Sequence, residues 1–322
     1  MTIDFSGKRC LVTGAGGFIG SHLVDRLLKL GAVVVGAENF ITGAKDNLTE
    51  AFKNQNFSLI QANVSEPPET YLADQKFDYI FHFASPASPR GYMDNPVETY
   101  KVNSFGTHHL VEYATKIGAR FMMASTSEAY GDPLEHPQKE TYWGNVNPVG
   151  VRACYDESKR FGEMVVSTWA RAHQTDTRIV RIFNTYGPRM AIEDGRVVPN
   201  FIKQALKNDP VTVHGDGMQT RSFCYIDDLV EYIVRDMISQ KAKGEVINIG
   251  NPGEMTMLDY AKKIIALSES KSEIVFVDRP EDDPNRREPD IAKAKEILEY
   301  TPVVSVDEGM KKTIEYFRGK LT

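Results

Sequence analysis

Residues 12–23 read VTGAGGFIGSHL and place Gly14, Gly17 and Gly20 between an apolar segment and a segment of helical period. Glycines at this spacing let the backbone turn tightly and approach a pyrophosphate, and the free N–H groups of the following helix stabilise its charge. A glycine triplet alone is a weak signal, but its position after an apolar run near the N-terminus makes it specific. The stretch therefore predicts a dinucleotide-binding βα unit.

Apolar runs and helical segments alternate through the first half of the chain. The runs are RCLVTG, AVVVGA, FSLIQA, FDYIFHFAS, RFMMAS and TRIVRIFN, and helical periodicity covers residues 18–30, 97–117 and 155–173. Unbroken apolar runs suit strands that are covered on both faces, and intervening helices give parallel βαβ units. We therefore expect an α/β fold with a Rossmann-type doubly wound parallel sheet.

An acidic residue closes the second apolar run. Glu38 stands where a carboxylate can accept hydrogen bonds from the hydroxyls of an adenosine ribose. The same charge would repel a 2′-phosphate, so we expect NAD rather than NADP as the cofactor. The alternative is an exposed glutamate at a strand end with no ligand.

The pattern changes after about residue 185. The strand candidates there are VTVHG, EVINIG and SEIVFVD, with helices from about 227 and from 256. We expect residues 1–185 to form an NAD-binding Rossmann domain, with some later segments returning to it. Residues 186–322 should mainly form a smaller C-terminal α/β domain that binds the substrate. The charged, Pro-rich stretch PEDDPNRREPD at 280–290 is a candidate ligand loop.

The composition excludes several classes of partner. The chain has 322 residues, 41% hydrophobic and 25% charged, with a net charge of -6. It has no basic cluster interleaved with aromatics, so we expect no nucleic acid and no membrane surface as partner. No apolar run approaches the roughly 20 residues of a membrane span, and residues 1–12 lack the uninterrupted apolar segment of a signal peptide, so we expect neither. Cys10, Cys154 and Cys224 are too few and too scattered for a disulfide framework or a metal site, which predicts a cytoplasmic protein without a metal.

Proton-transfer groups follow the strand RFMMAS. Thr126, Ser127 and Glu128 end this strand, and Tyr155 and Lys159 share one face at the start of the next predicted helix. A phenol with a pKa near 10 is a poor base at neutral pH, and a nearby ammonium stabilises the phenolate. Taken alone, a tyrosine and a lysine four residues apart usually mark a solvent-exposed helix face. Its position after a dinucleotide cradle favours catalysis.

The chain resembles the extended short-chain dehydrogenase/reductases that act on nucleotide sugars, the NAD-dependent epimerase/dehydratase family. Within that family it is most similar to the UDP-glucuronate decarboxylase branch. The stretches that carry the resemblance include VTGAGGFIGSHL, HFASPASPRGYMDNPVETYKVN, ASTSEAYGDPLEHPQKETYWGNVNPVGVRACYDESKR, RIFNTYGPRM, VHGDGMQTRSFCYIDDLV and DDPNRREPDIAKAK. SPASP and YWGNVNP with RACYDESKR are specific to the decarboxylase branch, whereas the glycine loop and the Tyr–Lys pair are shared by the superfamily.

The resemblance implies a lyase that oxidises C4 of UDP-glucuronate with NAD, releases CO2 from the 4-keto acid and re-reduces the ketopentose to UDP-xylose. By similarity, Tyr155 is the base at the C4 hydroxyl, Lys159 lowers its pKa and Thr126 binds the reacting oxygen. Ser127 replaces the acid that a dehydratase uses, and Glu128 manages the proton at C5. The alternatives are a UDP-glucuronate 4-epimerase, a 4,6-dehydratase and a cofactor-binding regulator without turnover.

The resemblance also assigns the UDP-sugar site. Arg287 matches an arginine near the substrate carboxylate, for which its planar donor fork is suited. Lys101 matches a position near the sugar. Asn184, Gln219 and Arg221 match residues that hold UDP. Without the resemblance, Arg287 and its neighbour would be read as a solvated charge cluster.

The implied NAD site is larger and departs from the family pattern in three places. The predicted cofactor-binding residues are Gly14, Gly17, Phe18, Ile19, Gly20, Glu38, Asn39, Phe40, Thr42, Gly43, Asn63, Val64, Phe83, Ser85, Tyr155 and Lys159. Glu38 and Asn63 stand where the family usually has Asp, and Ala44 stands where the decarboxylases commonly have Arg. All three surround the adenosine half, so they bear on cofactor affinity rather than on the chemistry.

The resemblance finally implies a homodimer. Family members pair through the helices that correspond here to residues 97–117 and 155–173, which form a four-helix interface. Helical periodicity alone does not distinguish a face that packs on the core from one that packs on a partner.

Overall fold

The computed structural model describes residues 2–279 and 286–321. Each apolar run singled out in the sequence contains a strand. The strands are β1 (Arg9–Thr13), β2 (Val33–Glu38), β3 (Phe57–Gln61), β4 (Tyr79–His82), β5 (Arg120–Thr126), β6 (Thr177–Ile182), β7 (Thr185–Tyr186), β8 (Val211–His214), β9 (Thr220–Ser222), β10 (Cys224–Tyr225), β11 (Val246–Ile249), β12 (Glu254–Thr256), β13 (Ile274–Val277) and β14 (Arg286–Arg287).

Each segment for which the sequence predicts a helix contains at least one, and further helices lie outside those segments. They are α1 (Phe18–Lys29), α2 (Glu69–Leu72), α3 (Pro89–Asp94), α4 (Pro96–Lys101), α5 (Thr107–Ile117), α6 (Ala153–His173), α7 (Val197–Lys207), α8 (Ile226–Ile238), α9 (Met257–Leu267), α10 (Ala292–Leu298) and α11 (Val306–Leu321). A π-helical turn, Val102–Gly106, joins α4 to α5 within the segment predicted as one helix. Helix α6 begins two residues before its predicted start, so Tyr155 lies in its first turn.

The large sheet has seven strands in the order β11-β6-β5-β4-β1-β2-β3, and every neighbouring pair is parallel. The order reverses between β1 and β4, where Thr13 pairs with His82. In such sheets ligands bind at the carboxyl ends of the strands beside this reversal. The Rossmann-type sheet predicted from the sequence is confirmed.

Both faces of the large sheet are covered, which explains the unbroken apolar runs. In β1, Cys10 and Val12 belong to one apolar core, whereas Leu11 belongs to the core on the opposite face. Leu23 and Leu27 of α1 complete the first core, and Leu110 of α5 belongs to the second. A strand buried on both sides has no solvent face to carry alternating polar residues.

The C-terminal part of the chain forms small sheets beside the carboxyl edge of the large one. β7 pairs with β10, β8 pairs with β13, and β9 lies between β12 and β14. β11 lies in the large sheet, so part of the late sequence belongs there. The domain boundary at residue 185 stays a prediction.

Two further expectations concern particular segments. In the candidate ligand loop at 280–290, residues 280–285 lie outside the described residues, and Arg286–Arg287 form β14. Throughout residues 2–279 and 286–321, no helix combines the length and the apolar character needed to span a bilayer.

Candidate active site

A cavity of about 960 Å³ opens where β1, β4, β5 and β6 end. Most of the residues predicted for cofactor, substrate and catalysis lie in its wall. These are Gly14, Gly17, Phe18, Ile19, Gly20, Thr42, Phe83, Ser85, Thr126, Ser127, Glu128, Tyr155, Lys159, Asn184, Gln219, Arg221 and Arg287. The predicted residues outside the wall are Glu38, Asn39, Phe40, Gly43, Asn63, Val64 and Lys101. The fold therefore brings distant segments of the sequence to one site.

The glycine loop leaves no room for side chains. Gly14 has a φ of +71°, and a Cβ there would lie 2.8 Å from the backbone of Ala84. A Cβ on Gly20 would overlap the carbonyl oxygen of Gly14, and α1 begins just before it at Phe18. Glycine at both positions therefore lets the loop pack closely on its own backbone and on Ala84 and lead directly into α1. The loop fits a dinucleotide pyrophosphate.

Glu38 is buried against the same loop. Its Oε2 accepts the N–H of Gly16 at 2.9 Å, and its Oε1 accepts those of Asn39 at 3.0 Å and Phe40 at 2.9 Å. A carboxylate has about four acceptor positions, so three are used by the backbone. Glu38 therefore fixes the loop, and its predicted hydrogen bonds to the ribose stay a prediction.

Asn63 and Lys101, two of the predicted ligand-binding residues, lie outside the cavity wall. The Oδ1 of Asn63 accepts the N–H of Ser65 at 3.1 Å and so organises its own turn. Lys101 ends α4 with its side chain exposed. The structure brings neither residue to the cavity wall, and their proposed contacts with adenine and sugar remain predictions.

Tyr155 and Lys159 lie buried at the end of β5. The Nζ of Lys159 donates to the carbonyl of Ala124 at 2.8 Å and lies 5.8 Å from the centre of the Tyr155 ring. The ring of Tyr92 stacks on that of Tyr155, with 5.0 Å between centroids. Helix α6 and strand β5 thus hold both proton-transfer groups rigidly.

Burial dominates the acidity of this pair. Burial raises the pKa of Tyr155, and a hydrogen bond with the Thr126 side chain opposes that rise. Burial also lowers the pKa of Lys159 to about 7, although the nearby Glu163 carboxylate opposes the change. At neutral pH the Lys159 ammonium therefore gives up its proton far more readily than an exposed lysine does.

His82, in the core behind this pair, is neutral. Burial lowers its pKa to about 3, and the positive charge of Lys159 acts in the same direction. Its Nδ1 lies 2.9 Å from the hydroxyl of Thr13, which in turn accepts the N–H of Ala84 at 3.2 Å. His82 thus ties the end of β1 to the end of β4, where the two strands border the cavity.

Glu128 is held by two arginines. Its Oε1 lies 2.6 Å from Nη1 of Arg287 and 2.8 Å from Nη2 of Arg152, and its Oε2 accepts from Nη2 of Arg287 at 2.9 Å. Burial would raise the pKa of Glu128, but the charges of Arg287 and Arg152 outweigh it and lower that pKa. The carboxylate is therefore ionised and fixed in direction.

The strand of Arg287 is anchored on both sides. Arg287 pairs with Arg221 between β14 and β9. The next residue, Glu288, accepts a backbone hydrogen bond from Gln138 at 2.9 Å and donates its own N–H to the Gln138 side chain at 3.0 Å. The Glu288 carboxylate also lies 3.1 Å from Nε2 of His136. These contacts place the guanidinium of Arg287 at Glu128.

The predicted UDP residues Asn184, Gln219 and Arg221 line the same cavity, and Arg221 pairs with Arg287 between β9 and β14. The Nε2 of Gln219 donates to the carbonyl of His214 at 2.8 Å, and its Oε1 is buried with no hydrogen-bond partner among the described residues. The carbonyl of Asn184 accepts the N–H of Cys224 at 2.9 Å. Gln219 thus offers a buried acceptor to a ligand.

Arg152 and Asp156 were absent from the residues predicted for the site. Arg152 completes the pair with Glu128, and Asp156 lies one turn further along α6. The sequence signal was a charged residue on the face that carries Tyr155. Arg152 is the N-cap residue of α6 and also precedes the predicted helix, so its contact with Glu128 could not be inferred from helical spacing.

The sequence and the fold are similar to those of known proteins. The model of the NAD dependent epimerase/dehydratase family matches residues 10–250. UDP-glucuronic acid decarboxylase 2 of Arabidopsis thaliana is 50% identical over 98% of this chain and 69% of its own length. UDP-glucuronic acid decarboxylase 1 of Danio rerio is 48% identical over 98% of this chain and 73% of its own length.

Solved structures with other reactions share the fold. The UDP-glucuronic acid 4-epimerase of Bacillus cereus, in complex with UDP-glucuronic acid and NAD, has a TM-score of 0.87 at 30% identity, covering 98% of this chain and 100% of its own. The dTDP-glucose 4,6-dehydratase of Bacillus anthracis has a TM-score of 0.86 at 22% identity, covering 97% of both chains. The backbone is thus common to several chemistries, and side chains must distinguish them.

Proposed function

The chain belongs to the NAD dependent epimerase/dehydratase family, and from this premise we propose that it converts UDP-glucuronate to UDP-xylose and CO2. The membership confirms the resemblance found in the sequence and the prediction of NAD as cofactor. One observation carries the choice of reaction. The Glu128 carboxylate is clamped by Arg287 and Arg152 in the wall of the cavity that contains Tyr155.

NAD fits the glycine cradle, and the chemistry that it supplies when bound is hydride acceptance from C4 and hydride return to C4. The residues that would hold it are Gly14, Gly17 and Gly20 at the pyrophosphate, Glu38 near the adenosine ribose and Ser85 near the nicotinamide ribose. The backbone of this loop and the N-terminus of α1 stabilise the negative charge of the pyrophosphate.

Tyr155 takes the proton of the C4 hydroxyl and later returns it. Thr126 stabilises the phenolate by hydrogen bonding. Lys159 provides a positively charged ammonium group that gives up its proton readily, because burial lowers its pKa. A positioned acid–base group of this kind typically contributes on the order of 10² to 10⁴ in rate. The same group serves both hydride steps because its proton goes out and comes back within one turnover.

The clamp around Glu128 suits decarboxylation. A 4-keto group next to C5 accepts the electron pair that remains when the carboxylate leaves as CO2, and C5 must then receive a proton. Arg287 uses two of its five N–H groups on Glu128, so its guanidinium is fixed for a second anion, the substrate carboxylate. The Ser127 side chain is not acidic enough to protonate a departing hydroxyl, which disfavours a dehydratase.

Product analysis tests this function directly. The protein is incubated with UDP-glucuronate and NAD, and the nucleotide sugars are identified by proton NMR. We expect UDP-xylose without net NADH. UDP-galacturonate would identify a 4-epimerase, and a free UDP-4-ketopentose with NADH would identify an oxidative decarboxylase.

The proposal extends to a homodimer built on α4, α5 and α6. Large apolar side chains are exposed on this part of the surface, with relative exposures from 42% for Tyr100 to 53% for Phe105. The set is Val97, Tyr100, Phe105, Phe161 and Met164. Exposed apolar side chains that cluster on neighbouring helices are typical of a surface that packs on a partner. A pair of such surfaces would make a four-helix interface.

Light scattering after size-exclusion chromatography tests the dimer. We expect twice the chain mass of 36.1 kDa for the wild type and a monomer for Phe105→Glu. The control is Leu134→Glu, which changes an exposed leucine outside these helices. A monomeric wild type would refute the dimer.

A cytoplasmic location is the last part of the proposal. Cys10, Cys154 and Cys224 are all unpaired, and Cys10 and Cys224 are buried. Unpaired cysteines are typical of reducing compartments. Subcellular fractionation of the source cells should recover the protein with cytoplasmic markers, and recovery with a secreted or membrane fraction would contradict this location.

A further inference from the structure

Decarboxylation consumes one proton from solvent in every turnover. The carboxylate leaves as CO2, its bonding electron pair moves through C5 to the C4 carbonyl, and a new C5–H bond needs a proton. Tyr155 does not provide it, because the proton that Tyr155 takes from the C4 hydroxyl returns to that oxygen. If the proposed function holds, the protein therefore needs a route for protons to C5.

A second cavity, of about 270 Å³, lies behind Glu128. We call it the rear cavity and define it by Glu128, Asp132, Asn147, Arg152, Asp156 and Arg287. Glu128, Arg152 and Arg287 also line the main cavity, so the clamp is the wall between the two cavities.

The rear cavity runs from the surface to this wall. Asp132 and Asn147 are exposed at one end, whereas Asp156 and Arg287 are buried at the other. Asp132, Asn147 and Asp156 are among the polar residues that line it, and its volume accommodates several water molecules. It therefore connects solvent with the back of the catalytic carboxylate without passing through the main cavity.

Asp156 is the carboxyl group at the inner end of the rear cavity. Only 7% of the residue is exposed, and its Oδ1 is buried without a hydrogen-bond partner among the described residues. A buried carboxyl oxygen without a partner is costly and is stabilised by a proton or by water. Its position one helical turn after Arg152 places it on the same face of α6.

We propose that the rear cavity is the proton-entry path for decarboxylation and that Asp156 is its relay residue. The Asp156 carboxyl passes its proton through water in the rear cavity to the Glu128 carboxylate, and Glu128 passes it to C5 as the C4 enolate becomes a ketone. Asp156 then regains a proton from solvent through the rear cavity. The balance is one proton consumed for each CO2 released.

The acidities of the two carboxyl groups agree with these roles. Burial and the Glu128 charge raise the pKa of Asp156 to about 7, although Arg152 and Arg287 oppose the rise and Glu157 adds to it. The pKa of Glu128 is lowered, as described above. Near neutral pH roughly half of Asp156 therefore carries a proton that Glu128 cannot retain, and a protonated Glu128 is a strong acid toward C5.

Three variants and a pH profile test the relay. Asp156→Asn removes the titrating group with little change in shape, and Asp156→Glu keeps a carboxyl. Glu157→Gln is the matched control, because it removes the adjacent carboxylate of α6, which pairs with Arg160 outside both cavities. UDP-xylose formation is measured in H2O and D2O across the pH range that brackets the Asp156 pKa.

We expect the wild-type rate to fall as pH rises above the Asp156 pKa, because the deprotonated relay has no proton to pass on. Asp156→Asn should be about 10- to 100-fold slower at neutral pH and lose this alkaline fall. It should also show a larger solvent isotope effect. Asp156→Glu should restore the fall. Glu157→Gln should keep a rate close to that of the wild type and keep the alkaline fall, which moves slightly to lower pH because the Glu157 charge no longer raises the Asp156 pKa.

Two results would overturn the relay. One is Asp156→Asn with the wild-type rate and pH profile. The other, which applies even if Asp156→Asn fails to fold, is a wild-type or Asp156→Glu rate without an alkaline fall and without a solvent isotope effect. A wild type that makes no UDP-xylose refutes the proposed function instead, so the two failures are distinguishable.

Discussion

The two ends of the main cavity are built in different ways. At the cofactor end the ligand surface is backbone, with Gly14 and Gly20 too crowded for a Cβ and Glu38 holding three main-chain amides. At the catalytic end the surface is made of buried charges, with Glu128 clamped by Arg152 and Arg287. The first end depends on local shape and the second on the balance of distant charges. Substitutions at the two ends should therefore impair the protein in different ways.

Removal of one oxygen atom at the catalytic end should have the largest effect. Tyr155→Phe should lower turnover about 10³-fold, because the phenol that exchanges the C4 hydroxyl proton is gone. UDP-glucuronate affinity, measured by calorimetry, should change little. The control is Tyr71→Phe, which removes a phenol outside the cavity. Equal turnover of Tyr155→Phe and wild type would remove Tyr155 from the chemistry.

Loss of one charge in the clamp should change the pH dependence. In the folded protein the pKa of Glu128 lies below its usual 4.5, so the clamp stabilises the fold above that pH and the stabilisation is lost as pH falls through the folded-state pKa. Arg152→Met should raise the Glu128 pKa, move the acidic limb of the rate profile to higher pH and lower turnover about 10- to 100-fold.

The control for this charge is Arg160→Met, also on α6, whose guanidinium donates to the carbonyls of Ala129 and Trp143 instead of to Glu128. It should leave the acidic limb in place. If the acidic limb of Arg152→Met stays where it is in the wild type, the pKa of Glu128 does not depend on Arg152. The catalytic end would then not be governed by the balance of charges.

A methyl group at the cofactor end tests the role of shape. Gly20→Ala places a Cβ against the carbonyl oxygen of Gly14, and the resulting shift of the loop should cost about 1–3 kcal/mol. NAD affinity should fall about tenfold or more, without a change in the pH dependence of turnover. The control is Gly319→Ala, where a Cβ meets nothing within 4 Å and a helical alanine should slightly raise stability. Unchanged NAD affinity in Gly20→Ala would contradict a cradle limited by space.

Glu38→Gln should have the smallest effect of the four. Glutamine keeps the shape but has one acceptor oxygen in place of two, so part of the set of amides from Gly16, Asn39 and Phe40 loses its partner. We expect NAD affinity to fall by about three- to tenfold. The preference for NAD over NADP should decrease, because the carboxylate charge that would repel the 2′-phosphate is gone. Calorimetry measures the affinity for both cofactors. An unchanged ratio of NAD to NADP affinity would show that Glu38 only holds the loop and does not select the cofactor.

The same contrast explains what the sequence could predict. The glycine loop, the strands and the Tyr155–Lys159 face depend on residues close together in the chain, and their spacing was sufficient. The clamp joins the turn after β5, the residue before α6 and strand β14, whose contacts arise only when the sheet and the C-terminal part are assembled. Arg287 was therefore found only through family resemblance, and Arg152 and Asp156 were missed. Likewise, the backbone contacts of Glu38 could not be inferred from its position at a strand end.

The fate of the substrate carboxyl carbon tests the central claim, that the clamped Glu128 directs this fold to decarboxylation. UDP-glucuronate labelled with carbon-13 at C6 is supplied with NAD to the wild type and to Glu128→Gln, and labelled CO2 is measured against nucleotide sugar consumed. We predict one labelled CO2 for each UDP-xylose formed by the wild type, and a strongly reduced rate in Glu128→Gln. Label that remains in UDP-galacturonate, or equal rates of CO2 release by the two proteins, would contradict the claim.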